Sequence, residues 1–293
     1  MPHKPKTLKK RPKKKRMKKN KIAISKYSGA GNDFIIIDLR NQKIGLSRSQ
    51  RKNLARKLCN RNFGIGADGL IFLEKPKHTK NKFAWDFYNQ DGSIAEMCLN
   101  ASRCVTLFEF HKTKKTHTVS FESAIGVVSG KVVAGASSPA LVEVTIPLQQ
   151  ARGKKISLLV SGHKHIGYLV DSGVPHFVIH KKNFKQTTEL LLAAHLRSHA
   201  KLKPRGANIT YWEKKGKIIR AATFERGVEN FTLACGTGAA AIGIMFEDLF
   251  DQPQVSVQMP GGKIFVCKKL DHILIKGPAQ KIFDGNIDLK DIV

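Results

Sequence analysis

Apolar residues fall along this chain in short blocks separated by turn residues, and the period of the blocks switches between that of a strand and that of a helix. Ile22-Ala23-Ile24 opens a strand that runs to the turn Ser28-Gly29-Ala30-Gly31-Asn32, and Ile35-Ile36-Ile37 reads as a buried strand after it. Ser47 to Leu58 has helical spacing at Leu54 and Leu58 behind a Ser cap, and Leu70 to Glu74 and Lys82 to Tyr88 are further strands. A helix-like segment, Val105 to His111, is followed by three meander strands, Thr118 to Phe121, Val127 to Val133 and Leu141 to Ile146. The pattern then restarts. Ile166 to Val170 is a strand before Ser172-Gly173-Val174-Pro175-His176-Phe177-Val178-Ile179, Glu189 to Ala200 is helical, and Ile209 to Glu213 is a strand. The Ala-rich apolar run Ala239 to Phe250 predicts a buried helix.

Landmarks repeat between the two halves. Gly31-Asn32 corresponds to Gly173-Val174, Gly66-Ala67-Asp68 to Gly206-Ala207-Asn208, Tyr88-Asn89 to Phe224-Glu225, and Cys98 to Cys235, at offsets of 142, 140, 136 and 137. Four landmarks in one order at nearly constant spacing indicate an internal duplication of an α/β unit, and hence two lobes related by a pseudo-twofold axis. Each copy places a cysteine after a turn and before its helix. The positive end of a helix stabilises a thiolate, and its free N–H groups can hold a carboxylate. The competing reading of either cysteine alone is a small buried hydrophobe.

Composition narrows the classes. The 293 residues suffice for one large domain or two smaller ones, and 41% apolar with 25% charged residues is ordinary for a globular protein. No apolar run reaches the roughly 18 residues of a membrane span, and no apolar signal-peptide core is visible, so a cytoplasmic protein is expected. Five cysteines without a dense framework suit a reducing compartment. The net charge of +30 is partly local, since residues 1 to 21 carry twelve of the 52 Lys and Arg and no acid, leaving 40 bases against 22 acids. Such a tail is expected to be solvated and disordered. Nucleic acid or an anionic surface is the alternative partner for it, disfavoured by the lack of an aromatic residue for stacking.

Two motifs carry no chemistry. Gly64, Gly66 and Gly69 match G-x-G-x-x-G, but the match lies between a helix and a strand, the reverse of the dinucleotide-binding order. His195 and His199 stand four apart on a helix without the glutamate of a zinc motif, and no metal or cofactor is expected. The paired cysteines do suggest a reaction. Across a cleft, one thiolate could remove a proton from a carbon while the opposite thiol returns one to the other face, inverting that centre. A free thiol has a pKa of about 8.5, which a helix N-terminus can lower.

The ordered segments Gly31-Asn32-Asp33-Phe34, Gly64-Ile65-Gly66-Ala67-Asp68-Gly69, Asn89-x-Asp91-Gly92-Ser93 with Met97-Cys98-x-Asn100-x-x-Arg103-Cys104, Pro175-His176, and Glu225-Arg226-Gly227-Val228 with Leu233-Ala234-Cys235-Gly236-Thr237-Gly238 resemble the diaminopimelate epimerase family over about residues 22 to 293. The resemblance implies an α/β (α+β) fold of two lobes, each a mixed or antiparallel sheet wrapped around a central helix. The implied lobes span 22–145, completed by about 278–293, and 146–277. It implies cofactor-independent epimerisation of LL-diaminopimelate to the meso form in lysine and peptidoglycan precursor synthesis, an amino-acid substrate, and a homodimer. Carried over by position, Cys98 and Cys235 would be the acid/base pair, with His176 and Glu225 tuning them. Asn32, Gly69, Asn89, Val174, Asn208, Glu225 and Arg226 would line the substrate, and backbone amides at Leu99-Asn100 and Gly236-Thr237 would hold its carboxylate.

Departures from the family pattern are specific. The family has Gly-Asn-Gly-Ala where this chain has Leu99-Asn100-Ala101-Ser102, asparagine where it has Val174, and glutamate where it has Phe231. A glycine replaced at positive φ costs on the order of 1 kcal/mol, so strain at Leu99 is expected. These changes keep two alternatives open: a racemase of another amino acid on the same fold, and an inactive relative that binds nucleic acid or another anionic partner through its basic surface.

Overall fold

Both halves of the chain build one core succession of two strands, a helix, two strands, a helix and three strands, to which the second half adds two strands. In the first these are β1 (Lys21–Gly29), β2 (Asn32–Asp38), α1 (Arg48–Cys59), β3 (Gly69–Glu74), β4 (Phe83–Asn89), α2 (Leu99–Thr113), β5 (Thr118–Ser123), β6 (Gly126–Ala134) and β7 (Ala140–Pro147). The second has β8 (Lys154–Val160), β9 (His163–Asp171), β10 (Pro175–His180), α3 (Gln186–Arg197), β11 (Asn208–Lys215), β12 (Ile218–Glu225), the two-residue β13 (Asn230–Phe231), α4 (Gly236–Phe250), β14 (Gln254–Met259), β15 (Gly262–Lys268) and β16 (His272–Asp288). The structure is a computed structural model that describes residues 21–42, 44–114, 118–134, 138–147 and 153–288. The basic segment 1–20 and residues 289–293 lie outside the described residues, and Lys21 already pairs with Asp288 in the sheet.

The duplication is visible strand by strand. β2 runs parallel to β3 across α1, and β10 runs parallel to β11 across α3. β3 then pairs antiparallel with β4, and β11 with β12. After each following helix the chain returns in parallel, β5 on β4 and β14 on β12. The strands form one path, β1-β2-β3-β4-β5-β6-β7-β16-β15-β14-β12-β11-β10-β9-β8. β16 joins the lobes: its first part pairs with β7 and β15, and its second part with β1, which closes the first eight strands of that path into a ring.

Each lobe packs its sheet around its second helix, because only those helices are buried on every side along most of their length. In α4 all residues from Gly236 to Phe246 are buried, and in α2 all those from Leu99 to Leu107 are. Both helices belong to one continuous apolar core shared with the inner faces of the strands. Burying a side chain such as Ile242 or Ile244 stabilises by about 1.5–3 kcal/mol each, so a charge introduced at Ala241 would disrupt the second lobe. The outer helices α1 and α3 bury one face only, against two smaller clusters.

Local rules explain the boundaries. Ser47 caps α1 in a reciprocal capping box with Gln50. The glycine motif after α1 is part of that helix's ending: a Cβ on Gly64 would fall 2.2 Å from the Lys57 carbonyl, so the loop folds against the helix's last turn only with glycine there. The third helix starts earlier than its periodicity predicts, at Gln186, with buried Glu189 in its first turn bound to Lys181 at 2.6 Å. It stops at Arg197, where Ser198 Oγ bonds back to Ala194 O. The strands β8 and β14–β16 carry charged and breaking residues such as Lys154, Lys155, Gly277 and Pro278, and their apolar pattern is too broken to assign from sequence alone. No helix among the described residues is long and apolar enough to cross a membrane.

Candidate active site

Cys98 and Cys235 are the N-cap residues of the two central helices, both in extended backbone (φ −146° and −115°). Their carbonyls accept the first helical hydrogen bonds, from Ser102 N at 2.9 Å and Ala239 N at 3.0 Å. Neither side chain caps its own helix, so each thiol stays at the helix entrance. The two entrances meet. A Cβ placed on Gly236 would lie 2.6 Å from Leu99 Cβ, so only glycine fits beside that leucine. Asn100 Nδ2 crosses between lobes to the Ala234 carbonyl at 2.8 Å and also reaches Asn32 Oδ1 at 3.3 Å.

Around the first thiol, Cys98 Sγ lies 3.7 Å from Asn32 Oδ1. Asn32 is held in turn by Asp68, to which its Nδ2 donates. Asp68 accepts from Asp33 N at 3.0 Å and pairs with Arg61 at 2.7 Å, while Asp33 binds the buried Lys26 at 2.8 Å. Around the second thiol, Cys235 Sγ lies 3.3 Å from Thr237 Oγ1. Thr237 Oγ1 is 3.0 Å from His176 Nε2, and His176 Nδ1 is 2.9 Å from Thr210 Oγ1, which continues to Thr223 Oγ1 at 3.1 Å. Asn208 Nδ2 also reaches His176 Nε2, at 3.3 Å, and its Oδ1 accepts from Arg226 N at 2.7 Å.

Glu225, at the end of β12, stands between these groups. Its carboxylate accepts from Thr232 Oγ1 and from the Cys235 thiol, and its charge acts on both cysteines. Burial raises its pKa, with the Thr232 and Cys235 bonds opposing that rise. The thiols do not follow the expectation of a lowered pKa. Burial pushes Cys98 up to about 11, with Glu225 adding to the rise and the Ala101 and Asn100 amides working against it. Burial and Glu225 likewise push Cys235 well up, against Thr237 and the Gly238 amide. At these sites desolvation outweighs the helix amides. Burial alone takes His176 down to about 3, so its imidazole is neutral at physiological pH.

The structure thus gathers Asn32, Cys98, Leu99, Asn100, His176, Asn208, Glu225, Cys235, Gly236 and Thr237 around the junction of the two helices. It places other candidates at the margin. Asn89 Nδ2 binds Ser93 Oγ at 2.9 Å, Val174 O accepts from Ser172 N, and the exposed Arg226 side chain donates to the Arg205 carbonyl. Gly69 lies buried under Phe87, whose ring a Cβ there would meet at 2.5 Å.

One expectation is corrected. Leu99 is the first residue of α2 and is not among the residues with positive φ, so the leucine carries no backbone strain; its side chain instead fills the space over Gly236. His176 is linked to Cys235 through Thr237 rather than by contact with the sulfur. Phe231 packs its ring on Phe224 and Tyr211, which explains an aromatic residue there. Sequence reasoning gave no role to Asp68, Thr210, Thr223 and Thr232. Asp68 alone carried a signal, its place in the Gly64–Gly69 segment.

Two sheet-wrapped helices meeting at their N-terminal ends form a fold that this chain shares with solved epimerase and isomerase structures. A solved hydroxyproline epimerase from Agrobacterium vitis, with bound trans-4-OH-L-proline, superposes with a TM-score of 0.70 over 92% of this chain and 93% of that one. A methylitaconate-delta-isomerase superposes with a TM-score of 0.64 over 93% and 97%. Their sequence identities of 13% and 12% make this a likeness of fold.

Sequence identifies the branch: the chain belongs to the diaminopimelate epimerase family, whose profile matches residues 24–142 and 168–282, one segment in each half. The diaminopimelate epimerase of Aquifex aeolicus is 34% identical over 272 residues, covering 89% of this chain and 96% of that protein. The one from Hydrogenobaculum sp. is 37% identical over 281 residues, covering 90% and 98%.

Proposed function

We propose that this chain is an isomerase that interconverts LL- and meso-diaminopimelate through Cys98 and Cys235, without a cofactor. The observation that carries the reading is the meeting of the two cysteine-capped helix entrances beside one carboxylate, Glu225. In the reaction, one cysteine as thiolate takes the α-proton, so that a C–H bond breaks and an S–H bond forms. The electron pair left on carbon spreads into the substrate carboxylate, which the amides of Leu99-Asn100 and Gly236-Thr237 would hold. The other thiol then gives its proton to the opposite face of the carbon. One thiol and one thiolate are present before and after, with their places exchanged.

Glu225 has two parts in this scheme. Its carboxylate receives the substrate ammonium, and that cation offsets the negative charge which otherwise holds both thiols protonated. Asn32, Asn89, Asn208 and Arg226 serve the remaining polar groups of the substrate, with the charge-assisted contacts of Arg226 the strongest, at about 1.5–3 kcal/mol each. Five free thiols suit the reducing cytoplasm as its place of work.

The test is deuterium incorporation at the α-carbon in heavy water, on LL-diaminopimelate beside lysine, glutamate, histidine and proline. Exchange fastest with diaminopimelate is the expected result. Faster exchange with a monocarboxylic amino acid would assign the site to a different racemase, and no exchange with any of them would remove the catalytic reading.

A further inference from the structure

Arg103 lies five residues after Cys98 on α2 and is fully buried, 0% exposed. A guanidinium stays charged and offers five N–H donors, and a buried one ordinarily faces a carboxylate. This one has no ion pair among the described residues. Nη2 donates to Asn100 Oδ1 at 2.6 Å, Nε to Pro278 O at 3.4 Å, and Nη1 has no partner. Behind it β16 passes so closely that a Cβ on Gly277 would come within 3.3 Å of Cζ, so the group is packed in place with its charge unbalanced.

The groups that could balance that charge are few. On its own helix they are Cys98 and Cys104, both within electrostatic reach of Arg103. From β12, Glu225 faces Cys98. From β2, Asp33 faces Cys104 but is already held by Lys26 and Arg61. From β16 only Gly277 and a carbonyl meet the guanidinium. Cys104 is wholly buried and burial drives its thiol far up, which leaves Cys98 as the one neighbour at a helix entrance able to become an anion.

We propose that Arg103 is a positioning residue for the first half-reaction: it supplies the counter-charge that makes Cys98 the thiol that ionises first, and through Asn100 it fixes the entrance of α2 against Ala234 and Asn32. Its partner-free Nη1 and its short bond to Asn100 carry both parts. Among the described residues Cys235 has no such cation; behind it stand a neutral imidazole and a row of hydroxyls. This inference rests on the reading of Cys98 as a base, but its test does not depend on turnover.

The experiment measures rate constants for iodoacetamide alkylation of Cys98 and Cys235 separately, by peptide mass spectrometry, from pH 6 to pH 10.5 on the full chain, where each rate follows the thiolate fraction. Wild type, Arg103→Gln and Arg103→Lys are compared, with circular dichroism to check folding. In wild type, Cys98 should react at lower pH than Cys235. Arg103→Gln, which keeps a donor to Asn100 but loses the charge, should slow alkylation of Cys98 about tenfold at each pH and leave Cys235 unchanged. Arg103→Lys should leave the Cys98 rate near wild type. An unchanged Cys98 rate in folded Arg103→Gln, or an equal fall at both cysteines, overturns the proposal. Should neither variant fold, the wild-type order decides: Cys235 reacting first contradicts it. Failure of α-proton exchange in wild type would sink the epimerase reading and leave this readout standing.

Discussion

The entrances of α2 and α4 have the same backbone and different electrostatics. Each is a cysteine in extended conformation followed by a buried helix, as the duplication requires. Behind Cys98 lie an amide, Asn100, and a buried cation, Arg103. Behind Cys235 lie neutral His176, three threonine hydroxyls and the acid Glu225. The comparison teaches that a repeated unit fixes where two thiols stand, while unrepeated residues one layer back set how readily each loses its proton. A two-base inversion needs the pair to hold one proton, not two or none, when the substrate is bound.

The comparison is sharpened first at the contact between the lobes. Asn100→Ala removes the bond to Ala234 O and the strong acceptor of Arg103, leaving buried polar groups unpaired. Chemical denaturation should show a loss of about 3 kcal/mol. A loss under 1 kcal/mol would mean that the two entrances are held together by apolar packing alone.

His176 allows a pH test of the second entrance. Its folded pKa, depressed to about 3, contributes stability that is fully present above the unfolded value of 6.5 and is lost as pH falls toward 3. In that window stability should fall by up to about 1.4 kcal/mol per pH unit. His176→Gln should flatten the slope there. A slope equal to wild type would show that the imidazole is charged or solvated.

Glu225 bears on both thiols, so its neutralisation should lower both. In Glu225→Gln the acid limb of the kcat/KM profile should move about one unit toward lower pH, while KM rises through the lost contact to the substrate ammonium. An acid limb that stays in place would show that Glu225 does not govern thiol ionisation. A smaller effect is expected from Val174→Asn, which restores one neutral contact. It should improve kcat/KM for diaminopimelate three- to tenfold, at about 0.5–1.5 kcal/mol, with the substrate ranking unchanged. A changed ranking would make Val174 a determinant of specificity.

Much of this asymmetry was hidden in the sequence, although the symmetry was plain. The two cysteines, their turns and their apolar helices recur at constant spacing, and that spacing leads directly to two lobes with central helices. The Ser47 cap and the short strands were legible for the same reason: each depends on neighbours in sequence. Arg103 was legible only as a motif position, because an arginine on a helix ordinarily faces solvent and its burial depends on β16, where Pro278 lies 175 residues away. Leu99 invited an expectation of strain through comparison with glycine, yet its conformation is that of any first helical residue. Desolvation of the thiols was not legible either. It comes from the closure of both lobes around them, which no local pattern encodes.

The most direct test of two thiols working as one unit takes Cys98→Ala and Cys235→Ala separately, each checked for folding, and follows LL-diaminopimelate by chiral chromatography. Each variant lacks the proton carrier for one face, so stereoinversion should fall by at least about a thousandfold in both, and an equimolar mixture should not recover it if each site lies within one chain. Inversion at the wild-type rate in either variant would contradict the two-base scheme.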